Sequence, residues 1–496
     1  MGIPYYFYTL TKSYSNIMSN KLPCNPDIYC MDFNGVIHPV CAKLATADEE
    51  HIINELYIKV VQDISVMKPK KIFICVDGIV PLAKMIQQRK RRYLSVYRNK
   101  IDNHSPIWDT NAITPGTEFM KKLNNYFKRQ IRYNTLSTDM YYSGSDEYGE
   151  GEHKIFAKLK SEETDASIII NGLDADLIIL CLMSHRKNIY LMRETADSQT
   201  YLNIENLRAA IIQELTKRWN LESHVVDEKD VIESYCVMCS LLGNDFLPHL
   251  LTLNLKADGL DRLILLTGTS YNTYGLLVQN STINYAALSD ILQQLAKSED
   301  KDIYNETDKY IKSKRHDIHN TNKSEFYAIK NKDSIAEKIY SDIEKWRQTY
   351  YKYLFHTNIA IDSSVIQIAC AQYITGIYWT YAYYKQKPHD NTWYYPYEYP
   401  PSVKDIANYS LGTKQPIMRN KQVPLTTTIQ LMIVLPYESK HLIDSRYQKF
   451  MEDTKYGLYH LYPKSYTIRT YLKTHLWECS PCLPTINIDY IRNHIK

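Results

Sequence analysis

Ile28-Tyr29-Cys30-Met31-Asp32-Phe33-Asn34-Gly35 carries the clearest signal in this chain: four apolar residues run straight into an aspartate. The pattern recurs twice. Ile72-Phe73-Ile74-Cys75-Val76 ends at Asp77, and Ile168-Ile169-Ile170 leads through Asn171-Gly172-Leu173 to Asp174 and Asp176. Short unbroken apolar runs separated by helix-length segments predict parallel strands buried on both faces of a sheet. In an open parallel sheet, ligands sit beyond the carboxyl ends of the strands. Acids at three such ends predict negative charge gathered along one edge, which repels itself unless cations lie among it.

Two further segments extend the acidic set. Gly149-Glu150-Gly151-Glu152-His153-Lys154 precedes the helix-like Ile155-Phe156-Ala157-Lys158-Leu159. Its glycines let the backbone approach a ligand closely, and acids two residues apart converge on one ion from an extended loop. Asp174 and Asp176 repeat that spacing. Leu241-Leu242-Gly243-Asn244-Asp245-Phe246-Leu247-Pro248-His249 puts one more acid in a tight turn after the helical stretch Val231 to Ser240. Any one of these acids alone reads as a helix cap or turn residue. Together, Asp32, Asp77, Glu150, Glu152, Asp174, Asp176 and Asp245 predict two divalent cations held by shared carboxylates for phosphoryl chemistry. An all-oxygen ligand set favours Mg²⁺ or Mn²⁺ over zinc.

Just after Asp77 comes Pro81-Leu82-Ala83-Lys84-Met85-Ile86-Gln87-Gln88-Arg89-Lys90-Arg91-Arg92, with proline where a helix start tolerates it. Lys84, Gln88, Arg91 and Arg92 fall at i, i+4, i+7 and i+8, within an arc of about 100° on one helix face. On charge alone this is a solvated basic face or a nuclear localisation signal. Beside the acidic edge it predicts a cup for a terminal phosphate, gripped bidentately by arginine.

Composition narrows the class. At 496 residues the chain is long enough for two to four domains, and 44% apolar with 23% charged residues is ordinary for a soluble globular protein. The net charge of +4 excludes general polyelectrolyte character, so nucleic-acid binding must rest on local patches. The cysteines follow no disulfide framework and several lie inside apolar runs, which fits a reducing compartment. Cys236/Cys239 and Cys479/Cys482 are too far apart in the chain to read as one zinc site. No apolar run approaches the ~20 residues of a membrane span, and no signal peptide opens the chain. Met1-Gly2 is not read as a myristoylation site, because Tyr6 occupies the Ser/Thr position. Texture divides the chain into an α/β part over 1–270, a charged helical connector over 271–345, and an aromatic-rich helical segment over 346–496. The connector is most charged from Lys297 to Lys345.

These motifs resemble the Xrn family of 5′→3′ exoribonucleases. The likeness covers Met1-Gly2-Ile3-Pro4, Met31 to His38, Val76-Asp77-Gly78 with its basic helix, and Ile113 to Met120. It continues through Gly149 to Lys154, Leu173 to Leu177, Leu241 to His249, Trp393 to Tyr397, Gln430 to Pro436 and Trp477-Glu478. The resemblance implies an α/β nuclease core, flap-endonuclease or PIN-like, with a largely parallel sheet flanked by helices. A C-terminal segment would cap the active site and close the substrate channel. It carries the family's metal-site acids onto the seven named above, and its 5′-monophosphate pocket onto Lys84, Gln88, Arg91 and Arg92. Its base-stacking pair falls on His38 and Trp393, which from the residues alone read as structural and core positions.

The activity so implied is processive, two-metal hydrolysis of 5′-monophosphorylated single-stranded RNA to nucleoside 5′-monophosphates, in mRNA decay. The alternatives are a DNA 5′ exonuclease, a flap-type endonuclease, or an inactive RNA 5′-end-binding protein. A monomer in the cytoplasm is expected, the nucleus remaining open, with a decapping enzyme as partner and no membrane. The likeness is to a compact form such as a large DNA virus carries. Four departures from the family pattern stand out: Tyr148 replaces proline, Leu82 replaces a basic residue, Glu398 replaces histidine, and the segment between Arg92 and Asn111 is short.

Overall fold

The apolar runs become the centre of a seven-stranded sheet in the computed structural model, which describes residues 3, 5–44, 46–133, 137–172, 174–194, 198–221, 226–253, 258–313 and 333–495. Met1, Gly2 and Pro4 of the opening motif, Leu173, and 314–332 of the charged connector lie outside the described residues. The strands are β1 (Met18–Ser19), β2 (Ile28–Asp32), β3 (Lys71–Cys75), β4 (Asp139–Ser143), β5 (Ile168–Asn171), β6 (Ile189–Glu194) and β7 (Gln199–Asn203). Their spatial order is β1-β7-β6-β5-β2-β3-β4. Pairing is parallel from β4 through β6, and β7 and then the edge strand β1 are added antiparallel. The chain builds β2, β3 and β4 in one direction, then returns to place β5 and β6 on the other side of β2. The switch point therefore lies between β2 and β5, where this topology opens a crevice.

Both faces of the sheet are covered, which explains why the strands lack polar alternation. Cys30, Phe73, Cys75, Ile168 and Ile170 face one core; Tyr29, Met31, Ile72, Ile74 and Ile169 face the other. The second core is sealed by α2 (Asn34–Leu44), α3 (Glu49–Met67) and α5 (Glu118–Arg132). Helix α3 starts where Asp48 accepts hydrogen bonds from the Glu50 and His51 N–H groups, and α5 starts on Thr117. Between these lies α4 (Leu82–Asp102), with Pro81 as its N-cap. The first core takes α6 (Gly151–Leu159), α7 (Ala175–Met183), α8 (Ile204–Arg218) and α9 (Glu228–Cys239), together with Tyr6 and Leu10 of α1 (Tyr6–Ser13).

The aromatic-rich segment joins these layers. In the helix Ser364–Tyr384, every residue from Gly376 to Tyr384 is buried, as expected of a helix apolar all round. A third core packs Ile79, Val80, Leu82, Met85 and Ile86 against Leu425 to Leu435 and Ile488 to Ile491. Leu82 is thus a core residue, and Tyr148 reaches the same segment, donating its hydroxyl to the Leu425 carbonyl at 2.7 Å. Arg89, from the middle of the basic run, is only 1% exposed. Its guanidinium donates to the Ile433 carbonyl at 2.7 Å and to that of Leu461, clamping α4 to the C-terminal segment. Between 297 and 345 the described residues are helical and partly buried: Glu299, Ile303 and Thr307 have no exposed surface. Glu299 accepts from the Val403 and Lys404 N–H groups, capping the helix Val403–Gly412. Among the described residues, no helix is long and apolar enough to cross a membrane.

Candidate metal centre and substrate cavity

Strand register delivers the acids to one edge. Asp32 is the last residue of β2, Asp77 follows β3, Asp174 is the N-cap of α7, and Asp176 lies in the first turn of that helix. Beyond the formal strands, Ile79 bridges Tyr148, and the Gly78 N–H donates to the Gly149 carbonyl at 2.9 Å, tying the Asp77 and Glu150 loops together. Glycine is required there by space. A Cβ on Gly151 would stand 2.7 Å from Asp32 Oδ1, and one on Gly78 would stand 1.7 Å from the Glu147 carbonyl oxygen. Lys154 braces the same loops from below, donating to the Val76 carbonyl at 2.8 Å and to that of Gly144 at 2.7 Å.

Each of the seven acids interacts electrostatically with at least one other member of the set. Burial, then Asp77, Asp174 and Glu150, raise the Asp32 pKa well above the carboxylate range. Burial and Glu150 raise Asp77, opposed by the Gly151 N–H, 2.8 Å from its Oδ1. Burial and Glu150 raise Glu152, and burial and Asp245 push Asp176 up to about 7. At the centre stands Lys84, only 8% exposed, with Nζ 2.5 Å from Glu150 Oε2 and 2.9 Å from Asp245 Oδ2. Burial works against its charge, but the surrounding acids raise its pKa well above normal. Burial would likewise raise Asp245, yet Lys84 brings it below the usual range.

Two observations test whether this set suits a metal. Asp176 Oδ1 and His153 Nδ1 are buried with no hydrogen-bond partner. Glu150, Glu152 and His153 also present ligand atoms within 4.8 Å of one another. A cation would satisfy the orphaned oxygen and relieve the mutual repulsion, so the residues fit a divalent ion.

The basic helix divides its work. Lys84 faces the acids, Arg91 lines a cavity of about 930 Å³, and Arg92 donates to Thr114 Oγ1 at 2.7 Å. Burial and Arg91 lower the Arg92 pKa to about 10, leaving it charged at neutral pH. Gln88 is half-buried with Oε1 unpaired, while its neighbour Gln87 donates to Asp245 Oδ2 at 3.0 Å. The cavity runs from Asp174, Asp245 and Arg91 to Tyr394, Tyr397 and Trp477. Neither His38 nor Trp393 lines it among the described residues. His38 is exposed on α2, and partial desolvation, then the charges of Arg91 and Arg92, lower its pKa. Trp393 donates its indole N–H to Gln372 Oε1 at 2.9 Å and packs 5.1 Å from the Trp379 ring.

Several contributors escaped the sequence reading. Asn34 and His153 stood inside quoted motifs: Asn34 Nδ2 donates to Asp77 Oδ2 at 3.1 Å, and the neutral His153 ring lies 4.2 Å from that of Tyr383. Tyr383 donates its hydroxyl to Glu150 Oε1 and stacks on Trp379 at 5.0 Å. It comes from a tyrosine-rich helix, where no spacing distinguishes it from its neighbours.

A largely parallel α/β sheet with carboxylates gathered beyond its strand ends, beside a basic helix, has the ligand chemistry of a site for hard cations. Residues 1–195 match the family model described as "XRN 5'-3' exonuclease N-terminus", and residues 225–345 and 304–494 match "Xrn1 helical domain". The chain belongs to the XRN family. It is similar to "5'-3' exoribonuclease 1" of Homo sapiens, at 27% identity over 98% of this chain and 33% of the human protein. It is similar also to "5'-3' exoribonuclease 2 homolog" of Drosophila melanogaster, at 24% identity over 98% of this chain and 70% of that protein. With "5'-3' exoribonuclease 1" of Schizosaccharomyces pombe it shares 24% identity, over 98% and 48% of the two chains. The chain thus spans a third of the human relative's length and about half of the fission-yeast one.

Proposed function

We propose that this protein is a metal-dependent 5′→3′ exoribonuclease that degrades 5′-monophosphorylated single-stranded RNA processively to nucleoside 5′-monophosphates. The observation that carries this reading is the gathering of Asp32, Asp77, Glu150, Glu152, Asp176 and Asp245 around Lys84, with Asp174 beside Asp32 and Asp176, and with Asp176 Oδ1 buried and unpartnered, near Arg91 and Arg92. The relatives are named for this activity, and the fold reading deepens accordingly to a PIN-like core that residues 346–496 close over.

Asp32, Asp77, Glu150, Glu152, Asp174, Asp176 and Asp245 would hold two Mg²⁺ or Mn²⁺ ions. Such ions, when bound, supply a hydroxide nucleophile and stabilise the leaving oxygen. The chain's own residues do the rest. Asn34 and the Gly151 N–H hold the Asp77 carboxylate, and the Tyr383 hydroxyl holds Glu150. Lys84, Gln88, Arg91 and Arg92 receive the 5′-phosphate; Arg92 brings a buried guanidinium nitrogen with no other partner. His38 and Trp393 stack the terminal base, a contact every base provides at ~1–3 kcal/mol, so the enzyme advances through any sequence. A capped or triphosphorylated end is too bulky for the cup. On this reading the protein acts as a cytoplasmic monomer on ends that a decapping enzyme supplies.

The test compares decay of RNAs that differ only at the 5′ end (monophosphate, hydroxyl, triphosphate), with Mg²⁺ and with EDTA. Monophosphate RNA should decay fastest and EDTA should stop all decay; equal rates on the three ends would remove the phosphate-cup argument. Arg92→Ala should erode end discrimination, and Asp174→Ala should abolish cleavage. Matched DNA substrates separate this reading from a DNA exonuclease or flap endonuclease, because only RNA offers the 2′-hydroxyl.

A further inference from the structure

The cavity extends well past the acids and the phosphate cup, and its far end is built differently. Around the acids its walls are covered: Gln87 is 9% exposed and Leu247 1%. At its mouth stand Tyr5, Tyr8 and Trp477, which are 37%, 64% and 47% exposed. Large aromatic side chains left this open and grouped on one rim mark a binding surface more often than chance exposure. They come from opposite ends of the chain, yet the Tyr5 and Trp477 rings lie 6.3 Å apart, and the His475 ring lies parallel to Trp477 within 10°.

The backbone is strained at the same rim. Tyr5 has φ 63° and Leu472 has φ 55°, left-handed conformations that bulky residues rarely adopt and that tertiary structure must hold in place. Cations predominate away from the metal-site acids. Arg193, Lys309, Arg469 and Lys473 line the cavity together with Glu306, Arg193 lying 3.8 Å over the Phe7 ring. Glu478 lies on the same rim with its Oε2 fixed by the Thr474 and His475 N–H groups, at 2.8 and 3.1 Å.

We propose that Tyr5, Tyr8 and Trp477, with Arg193, Lys309 and Lys473, form a second stacking subsite that holds the unpaired RNA strand trailing behind the terminal nucleotide. The proposal rests on the ribonuclease reading and deepens it. One cavity is lined by Arg91, Asp174 and Asp245 and by this rim, so a strand whose leading end is held among the former leaves through the aromatic mouth. Exposed aromatics beside cations are the sequence-tolerant way to hold single-stranded nucleic acid. Such a hold keeps the shortened strand in place between cleavage events.

The experiment measures binding of 5′-monophosphorylated, 3′-fluorescein oligoadenylates of increasing length in EDTA, by anisotropy, for the parent protein, Trp477→Ala and Trp477→Phe. The Trp477→Ala to parent ratio of Kd should grow with oligonucleotide length until the strand reaches the rim, levelling at roughly 5–100-fold. Trp477→Phe, which keeps a smaller ring, should fall between. A ratio that is the same at every length, or phenylalanine no better than alanine, overturns the subsite. Hydrolysis with Mg²⁺, scored separately on the parent, tests the nuclease reading: length-dependent binding without hydrolysis would sink that reading and leave the subsite standing.

Discussion

Lys84 Nζ stands 2.9 Å from Asp245 Oδ2 and 2.5 Å from Glu150 Oε2, so one buried ammonium joins the turn after α9 to the loop before α6. It pairs with two carboxylates from segments almost a hundred residues apart in sequence. It is a cation already in place among the acids, and its removal leaves charge buried and unpaired.

Lys84→Met should therefore cost about 3–5 kcal/mol of stability in EDTA at neutral pH, the usual penalty for breaking a buried pair from one side. Part of this loss should return with Mg²⁺, which supplies positive charge to the same oxygens. Urea unfolding with and without the metal checks it, and an identical loss in both conditions would contradict the shared-charge account.

Tyr383 acts on Glu150 from the opposite wall, through its hydroxyl, while its ring is fixed by stacking on Trp379. Tyr383→Phe keeps the ring and deletes the hydrogen bond. Groups that orient a metal-ligating side chain are typically worth 10- to 100-fold in metal affinity or activity. The Mg²⁺ concentration for half-maximal cleavage should rise within that range, with KM for RNA and the melting temperature little changed. A shift in melting temperature with an unaltered metal curve would mark Tyr383 as merely structural.

Glu398 sits 3.0 Å from Lys90 Nζ on the cavity wall. The pair neutralises a lysine that would otherwise face the substrate. Glu398→Gln should lower KM for RNA and steepen the dependence of log K on log salt by up to about 0.7, as one more phosphate contact on a single strand requires. An unchanged slope would mean that Lys90 never meets the RNA.

Glu233 offers a pH test remote from the acid cluster. Burial alone would raise its pKa, but hydrogen bonds from His185, Lys385 and Tyr381 outweigh it and bring the group down to about 2. A folded pKa below the ordinary value of 4.5 gives stability that is complete above about pH 4.5 and fades as pH falls toward 2. The stake is on the order of 3 kcal/mol. Urea unfolding of Glu233→Gln beside the parent should show a gap at pH 6 that narrows by pH 3; a constant gap would contradict the linkage.

Much of the site was legible in linear order because strand ends are local features. Ile28 to Asp32 and Ile72 to Asp77 announce an apolar strand and its terminal acid within six residues, and the parallel sheet follows from their lack of alternation. The basic helix was legible for the same reason, since helical phase is set by spacing. Its residues' individual tasks were not. Lys84, Gln88, Arg91 and Arg92 share a face by periodicity, yet Lys84 is drawn into the acids while Arg89, off that face, is buried as a clamp on Ile433. Phase fixes direction around one axis and says nothing about what a second element places opposite.

Local pattern thus accounts for the strands, the acids at their ends and the helical phase of the cations, because backbone periodicity and steric preference act over a few residues. Folding of the whole chain accounts for the rest: Tyr383 against Glu150, Glu398 against Lys90, and Tyr5 beside Trp477 across more than 470 positions. Those pairings arise from how buried surfaces of distant segments fit together. No residue type or interval along the polymer encodes such a fit.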